Sequence, residues 1–147
     1  MKGNRWSVVL ALIVCLFMLG CSGDGDSPTD PLPTNDAVLL ESITPPAAST
    51  LVAGRQVTFR ARVRYALATA NTGQVSLVIE DQDFRVISTP PQTSAAVVRG
   101  EGTVELVDTV TIPASGVTRV LVFTPLFPAG ASRSTAVQQV TYTVAQP

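Results

Sequence analysis

Arg60, Arg62 and Arg64 alternate with apolar residues along one segment and are the most distinctive chemical feature of this chain. In an extended strand, residues two apart project from the same face. Three guanidinium groups in such a row could hold phosphate, sulfate or an acidic sugar through paired N–H donors. The same row serves equally as the solvated outer face of a sheet, if Glu or Asp lies opposite on a neighbouring strand. A second group of candidates is the carboxylates Glu80, Asp81, Asp83, Glu101, Glu105 and Asp108. A converging pair of them could do acid–base work on a glycosidic bond. Glu80, Asp81 and Asp83 could also gather a hard cation such as calcium. Both sets have a plainer reading. Residues 80–83 fall in an expected hairpin turn, and Glu101 lies between Gly100 and Gly102, so solvation alone accounts for acids there.

The rest of the available chemistry is narrow. The 147 residues include no His, two Cys (Cys15 and Cys21) and, after Lys2, no Lys. A nucleophilic Ser or Thr would lack its customary base. Most zinc sites, which draw on several His and Cys ligands, are excluded too. A net charge of −1 excludes a nucleic-acid binder that works through bulk positive charge. The expectation is a non-catalytic protein with no catalytic residues, no metal, no cofactor and no nucleic-acid partner. A small carboxylate-dependent hydrolase is the catalytic alternative.

The N-terminus reads as an address. Lys2 and Arg5 supply a basic start, residues 6–19 are apolar apart from Ser7, and Gly20-Cys21 follows. That pattern is a secretory signal. Its apolar run is shorter than the roughly 20 residues a spanning helix needs. Met18-Leu19-Gly20-Cys21 resembles the lipobox of bacterial lipoproteins, with Met where Leu is commonest. The resemblance implies a signal peptide over 1–20, removed before Cys21, and a lipid on the Cys21 sulfur. It also implies a membrane partner through that lipid. Ser22 in place of Asp implies sorting to the outer membrane of a two-membrane bacterium. Ordinary cleavage, leaving Cys21 as a thiol, is the alternative. The lipid accounts better for the residue, since a lone exposed thiol is a liability in an oxidising compartment, and two or three acyl chains hold a protein stably on a bilayer.

Residues 22–35 are small, acidic and Pro-rich, with Leu32 the single large apolar side chain. Such a segment cannot bury enough surface to offset its ordering entropy. The expectation is a disordered tether over 21–36. Asp24, Asp26 and Asp30 lack the Gly and Glu spacing of a calcium loop.

From residue 37 to 147 the period is two. Over residues 56–67, Val57, Phe59, Ala61, Val63, Tyr65 and Leu67 share one phase, and the arginines share the other. That is a half-buried strand. Further strands are expected at 74–80, returning as a hairpin at 84–88, and at 103–112, 117–124 and 140–144. Weaker ones are expected at 38–44, 50–53 and 94–99. The run Val120-Leu121-Val122-Phe123, with Leu126 and Phe127, is apolar in both phases, as in a central strand or a face against a partner. Gly54, Gly73, Gly100, Gly102, Gly116 and Gly130 are read between strands, as are the prolines at 45–46, 90–91 and 125–128. Seven to nine short strands and no helical period predict an all-β, antiparallel sandwich.

Ser42-Ile43-Thr44-Pro45-Pro46, the segment 51–59, the hairpin 75–86 and the closing stretch 127–144 together resemble bacterial immunoglobulin-like domains, in the fibronectin-type-like sense. The Cys and Trp pin of antibody domains is missing, since the chain's single Trp is Trp6, which excludes the antibody subtype and leaves fibronectin-type and transthyretin-like sandwiches open. The resemblance implies an immunoglobulin-like β-sandwich over 37–147. It would act at the cell envelope as a binding or structural module, with a protein or glycan partner. The alternative role is a subunit or accessory factor of a surface assembly, joined by strand-edge pairing.

Overall fold

The computed structural model describes residues 34–88 and 93–147. The expected signal peptide, Cys21 and residues 21–33 of the expected tether lie outside the described residues. Seven strands form: β1 (Ala37–Thr44), β2 (Thr50–Val52), β3 (Gln56–Ser76), β4 (Val78–Asp81), β5 (Ser94–Thr111), β6 (Arg119–Pro128) and β7 (Ala136–Ala145). No helix interrupts them among the described residues. The pairing runs β1-β3-β6-β7-β2, with β4 added to β6 and β5 added to β3. The domain is an all-β sandwich made by curling one sheet over on itself. Its pairings are antiparallel except one: β2 lies parallel to β7, Thr50 beside Thr143.

The curl originates in β3. Its first half pairs with β1 on one side and β5 on the other, and its last residues pair with β5 and β6. Between the halves, Leu67 faces Gly100 and Thr72 faces Val98. Residues 68–71 therefore oppose Arg99 alone. Surplus residues on one strand bend it and increase its twist, so the β3–β5 ribbon folds back and its two halves face each other. Phe59 from the first half meets Tyr142 of β7 edge to face, with ring centroids 5.4 Å apart. The Tyr142 hydroxyl donates to the Pro45 carbonyl at 2.7 Å, pinning β7 to the turn after β1. Burial pushes that hydroxyl up to about 12.

The alternation in β3 carries the core. Phe59, Ala61, Val63, Tyr65 and Leu67 are buried, while the arginines between them are exposed. Val75, Leu77, Ile79, Leu106, Val110, Ile112, Val120, Val122 and Leu126 complete the interior. Burying each such side chain contributes about 1.5–3 kcal/mol.

Several expected breaks lie inside strands. Residues 94–99 and 103–112 are parts of β5, and Gly100 and Gly102 continue the ladder between them. Tyr65 pairs with Gly102 and covers it so closely that a Cβ there would lie 2.7 Å from the Tyr65 hydroxyl. Gly73 lies within β3 because β6 passes it closely. A Cβ on Gly73 would lie 2.7 Å from the Phe127 carbonyl. Pro125 and Pro128 lie within β6. Pro125 stands beside the interruption between β3 and β4, where the Leu77 N–H turns away to the Thr93 carbonyl. A missing N–H is tolerated there. Residues 84–88 make no strand, only a bridge from Val86 to Glu80.

Asp36, expected as the last tether residue, belongs to the fold. Its Oδ1 accepts the Ala68 and Thr69 N–H groups at 2.7 and 3.0 Å. Its Oδ2 accepts the Thr69 and Thr135 hydroxyls, each at 2.6 Å. One carboxylate thus joins the chain entering β1, the bend of β3 and the approach to β7, and supplies partners to backbone groups that the bulge leaves unpaired. Burial pushes its pKa up, but the four hydrogen bonds outweigh that and bring it down to about 2.

Candidate functional site

The outer face of β1, β3 and β5 carries Arg60, Arg62 and Arg64, because the residues between them are committed to the core. Register decides what each arginine meets. Arg60 lies between Thr44 and Val107, Arg62 between Ser42 and Glu105, and Arg64 between Leu39 and Thr103. A register shift between Leu40 and Ser42 leaves Glu41 without a direct partner in the ladder. Arg62 Nε donates to Glu41 Oε2 at 2.9 Å, and its Nη1 lies 3.6 Å from Glu105 Oε1. Arg64 Nη2 donates to Glu101 Oε2 at 2.8 Å. The hydrogen bond and charge of Glu101 raise the Arg64 guanidinium further above its ordinary value. Arg60 makes no ion pair among the described residues. It borders a shallow groove with Ser42, Thr44, Arg62, Glu105 and Val107.

Three cations and three carboxylates thus share the face. Pairs this exposed contribute about 0–1 kcal/mol each. The near balance of charge gives the face little net attraction for an anion. Among the described residues, Arg60, which lines a groove with Ser42 and Thr44, is the one guanidinium of this face without an ion pair.

The other carboxylates do not converge. Glu101 and Glu105 belong to the arginine ladder. Asp108 points to the opposite side of β5, across from Phe59. Its Oδ2 is buried and, among the described residues, has no hydrogen-bond partner. Burial raises the Asp108 pKa, and the Thr109 N–H offsets part of the rise. Glu80 is raised by burial and then by the charge of Asp81. Asp81 is buried, and its Oδ1 accepts the N–H groups of Asp83 at 2.8 Å and Arg85 at 3.0 Å. That carboxylate shapes a turn. Among the described residues, no group of three or more acids is placed to hold a metal, and Glu80, Asp81 and Asp83 do not form one.

The apolar run of β6 lies between β7 and the β3–β4 line. Val120, Val122 and Leu126 are fully buried, and Phe123 and Phe127 are half-buried on the other side. Central-strand burial accounts for the core-facing residues of this run. Two residues of structural consequence carried no pattern in the sequence. Asp36 was hidden in an acidic, Pro-rich run. Phe84 follows an ordinary acidic turn, yet stands 67% exposed with a left-handed φ of 59°.

No protein-family model and no curated protein matches the chain. Among solved structures it is similar to a β-glucuronidase of glycoside hydrolase family 2, at 12% identity and a TM-score of 0.46. That likeness covers 76% of this chain and 11% of the other, so the chain spans only a small part of that enzyme. It is also similar to the CARDB domain of a Pyrococcus furiosus protein, solved in complex with di-metal ions, at 7% identity and a TM-score of 0.42. That likeness covers 77% of this chain and 93% of the other. A family 123 glycoside hydrolase from Clostridium perfringens is similar at 9% identity and a TM-score of 0.34, covering 69% and 23% of the two chains.

Proposed function

We propose that this chain is a lipid-anchored protein of the bacterial cell envelope, held at the outer membrane through Cys21. Its β-sandwich works without catalysis, as a binding or structural module. The observation that carries this reading is the place of Asp36. The acidic, Pro-rich run stops there, and one carboxylate fastens the incoming chain to the domain by four hydrogen bonds. A lipid on Cys21, an acidic, Pro-rich stretch and a folded domain then follow one another along the chain. The charge balance among Arg60, Arg62, Arg64 and their acids supports a solvated outer face. A role for that face in holding an anion or glycan rests on Arg60.

The test is labelled palmitate with the full chain in a bacterial host. Label enters the wild-type protein and fails to enter Cys21→Ser. Mass spectrometry that finds an unmodified Cys21 peptide in envelope fractions overturns the anchor.

A second reading has its own support. β5 is 18 residues long and, among the described residues, pairs with β3 alone, which leaves its other edge for strand addition. Subunit status in a surface assembly predicts stable oligomers by size exclusion. A strictly monomeric protein at all concentrations speaks for the first reading.

A further inference from the structure

Phe84 is the most exposed of the large apolar side chains among the described residues. Its backbone is left-handed, with a φ of 59°. A bulky side chain is rarely found there, because its Cβ crowds the following carbonyl. Among the described residues, the ring is not one of the side chains packed on the core. The strain is not offset by core packing among the described residues.

The surroundings hold this conformation firmly. The Phe84 N–H donates to the Asp81 carbonyl at 3.1 Å, and the Asp81 N–H donates to the Arg85 carbonyl at 2.9 Å. The Asp81 carboxylate takes two further N–H groups of the same turn. Gln82 then fixes the turn to the loop before β6. Its Nε2 donates to the Gly116 carbonyl at 2.9 Å, and its Oε1 accepts the N–H groups of Thr118 and Arg119 at 3.1 and 3.4 Å. Local strain persists when the surroundings over-determine it, and such sites gather where a ligand is met. Arg85 and the 48% exposed Val86 continue the tip.

The tip also lies at the far end of the sandwich from the chain's entry. Asp81 pairs with Val120 near the start of β6, whereas Pro128 at the end of β6 pairs with Gly73 beside the bend that Asp36 clamps. Phe84 is thus at the end of the sandwich opposite Asp36. A rigid aromatic loses little conformational freedom on binding, which suits it to anchor an interface. Two apolar side chains among Gln82, Asp83 and Arg85 make a small, mixed surface, better matched to a pocket than to a bilayer.

We propose that Phe84 is the anchor of a protein-binding tip, inserting into an apolar pocket on a partner protein, with Arg85 facing a carboxylate on the pocket's rim. The proposal deepens the binding-module reading and does not depend on the lipid.

The experiment replaces Phe84 with p-benzoylphenylalanine in the full-length chain, in cells that make the protein natively. A second variant carries the same photoreactive residue in place of exposed Thr58. After irradiation, mass spectrometry gives the chemical class of each adduct. The expected result is a protein adduct from position 84 in at least about tenfold excess over position 58, the scale of a buried aromatic anchor. Excess unlabelled wild-type chain suppresses it by a similar factor, and a Phe84→Ala chain does not. A phospholipid or glycan adduct, or equal yields at the two positions, overturns the proposal. The variant Phe84→Gly separates binding from folding. Relief of the left-handed strain raises its Tm by about 2–4 °C. A lowered Tm makes Phe84 a folding residue and refutes the argument. Palmitate incorporation at Cys21 is read independently, so failure of the anchor and failure of the tip are distinguishable.

Discussion

Replacing Asp36 with Asn keeps the shape of the side chain and removes the charge that four donors share. The carboxyl falls from its ordinary 3.8 to about 2 in the folded protein. At 1.36 kcal/mol per pH unit, that gap is worth about 2.4 kcal/mol. Solvent reaches this half-buried group, which reduces the figure to about 1–2 kcal/mol. For a domain of this size, the loss lowers Tm by about 4–10 °C near pH 7. The pH dependence follows from the depressed folded value. The contribution is complete above the unfolded value of 3.8, falls as pH drops through the folded value of about 2, and is gone below it. Thermal unfolding of the wild type and Asp36→Asn, followed by circular dichroism from pH 7 to pH 1.5, measures the difference. The two melting curves converge below about pH 2. A difference that stays constant through that range, or is below about 1 °C at pH 7, refutes the clamp and returns Asp36 to the tether.

Two further changes probe the interior. Gly73→Ala places a Cβ 2.7 Å from the Phe127 carbonyl oxygen and 3.3 Å from Pro128 Cα, two backbone atoms that cannot give, with the Leu67 side chain also at 3.3 Å. It costs about 1–3 kcal/mol in denaturant titrations. A neutral result means that β3 and β6 are not in register there. Asp108→Asn removes a charge whose pKa burial has raised. A raised folded value means that the ionised group opposes folding once pH exceeds it. The variant is therefore more stable than wild type at pH 7, and the advantage fades as pH falls toward the ordinary carboxylate range. An advantage that grows on acidification contradicts the burial.

The arginine face shows how far local pattern reaches. Alternation over residues 56–67 placed the three guanidinium groups on one face before any fold was known, because strand geometry is local. It could not say which acid each would meet. Glu41 reaches Arg62 because of a shift in register on β1, and Glu101 reaches Arg64 because β5 returns antiparallel to β3. Turn chemistry misled in the same region. Gly100, Gly102, Pro125 and Pro128 have the composition of loops, yet each sits in a strand where a neighbour crowds it or the ladder is interrupted. Residues 68–71 offered no signal, since small and polar side chains at a bend have no period.

From the chain alone came what depends on near neighbours in sequence: an all-β domain of seven to nine strands, its core-facing residues, and a chemistry nearly empty of nucleophiles and bases. Those follow from side-chain alternation and composition, which need no partner to be read. Only the folded molecule assigned Asp36 to the domain and revealed the strained backbone at Phe84. It also turned Asp81 from a candidate ligand into the frame of a turn. Each depends on atoms brought together by the curl of one sheet, and the bend that causes the curl is a mismatch between strands that no stretch of sequence contains by itself.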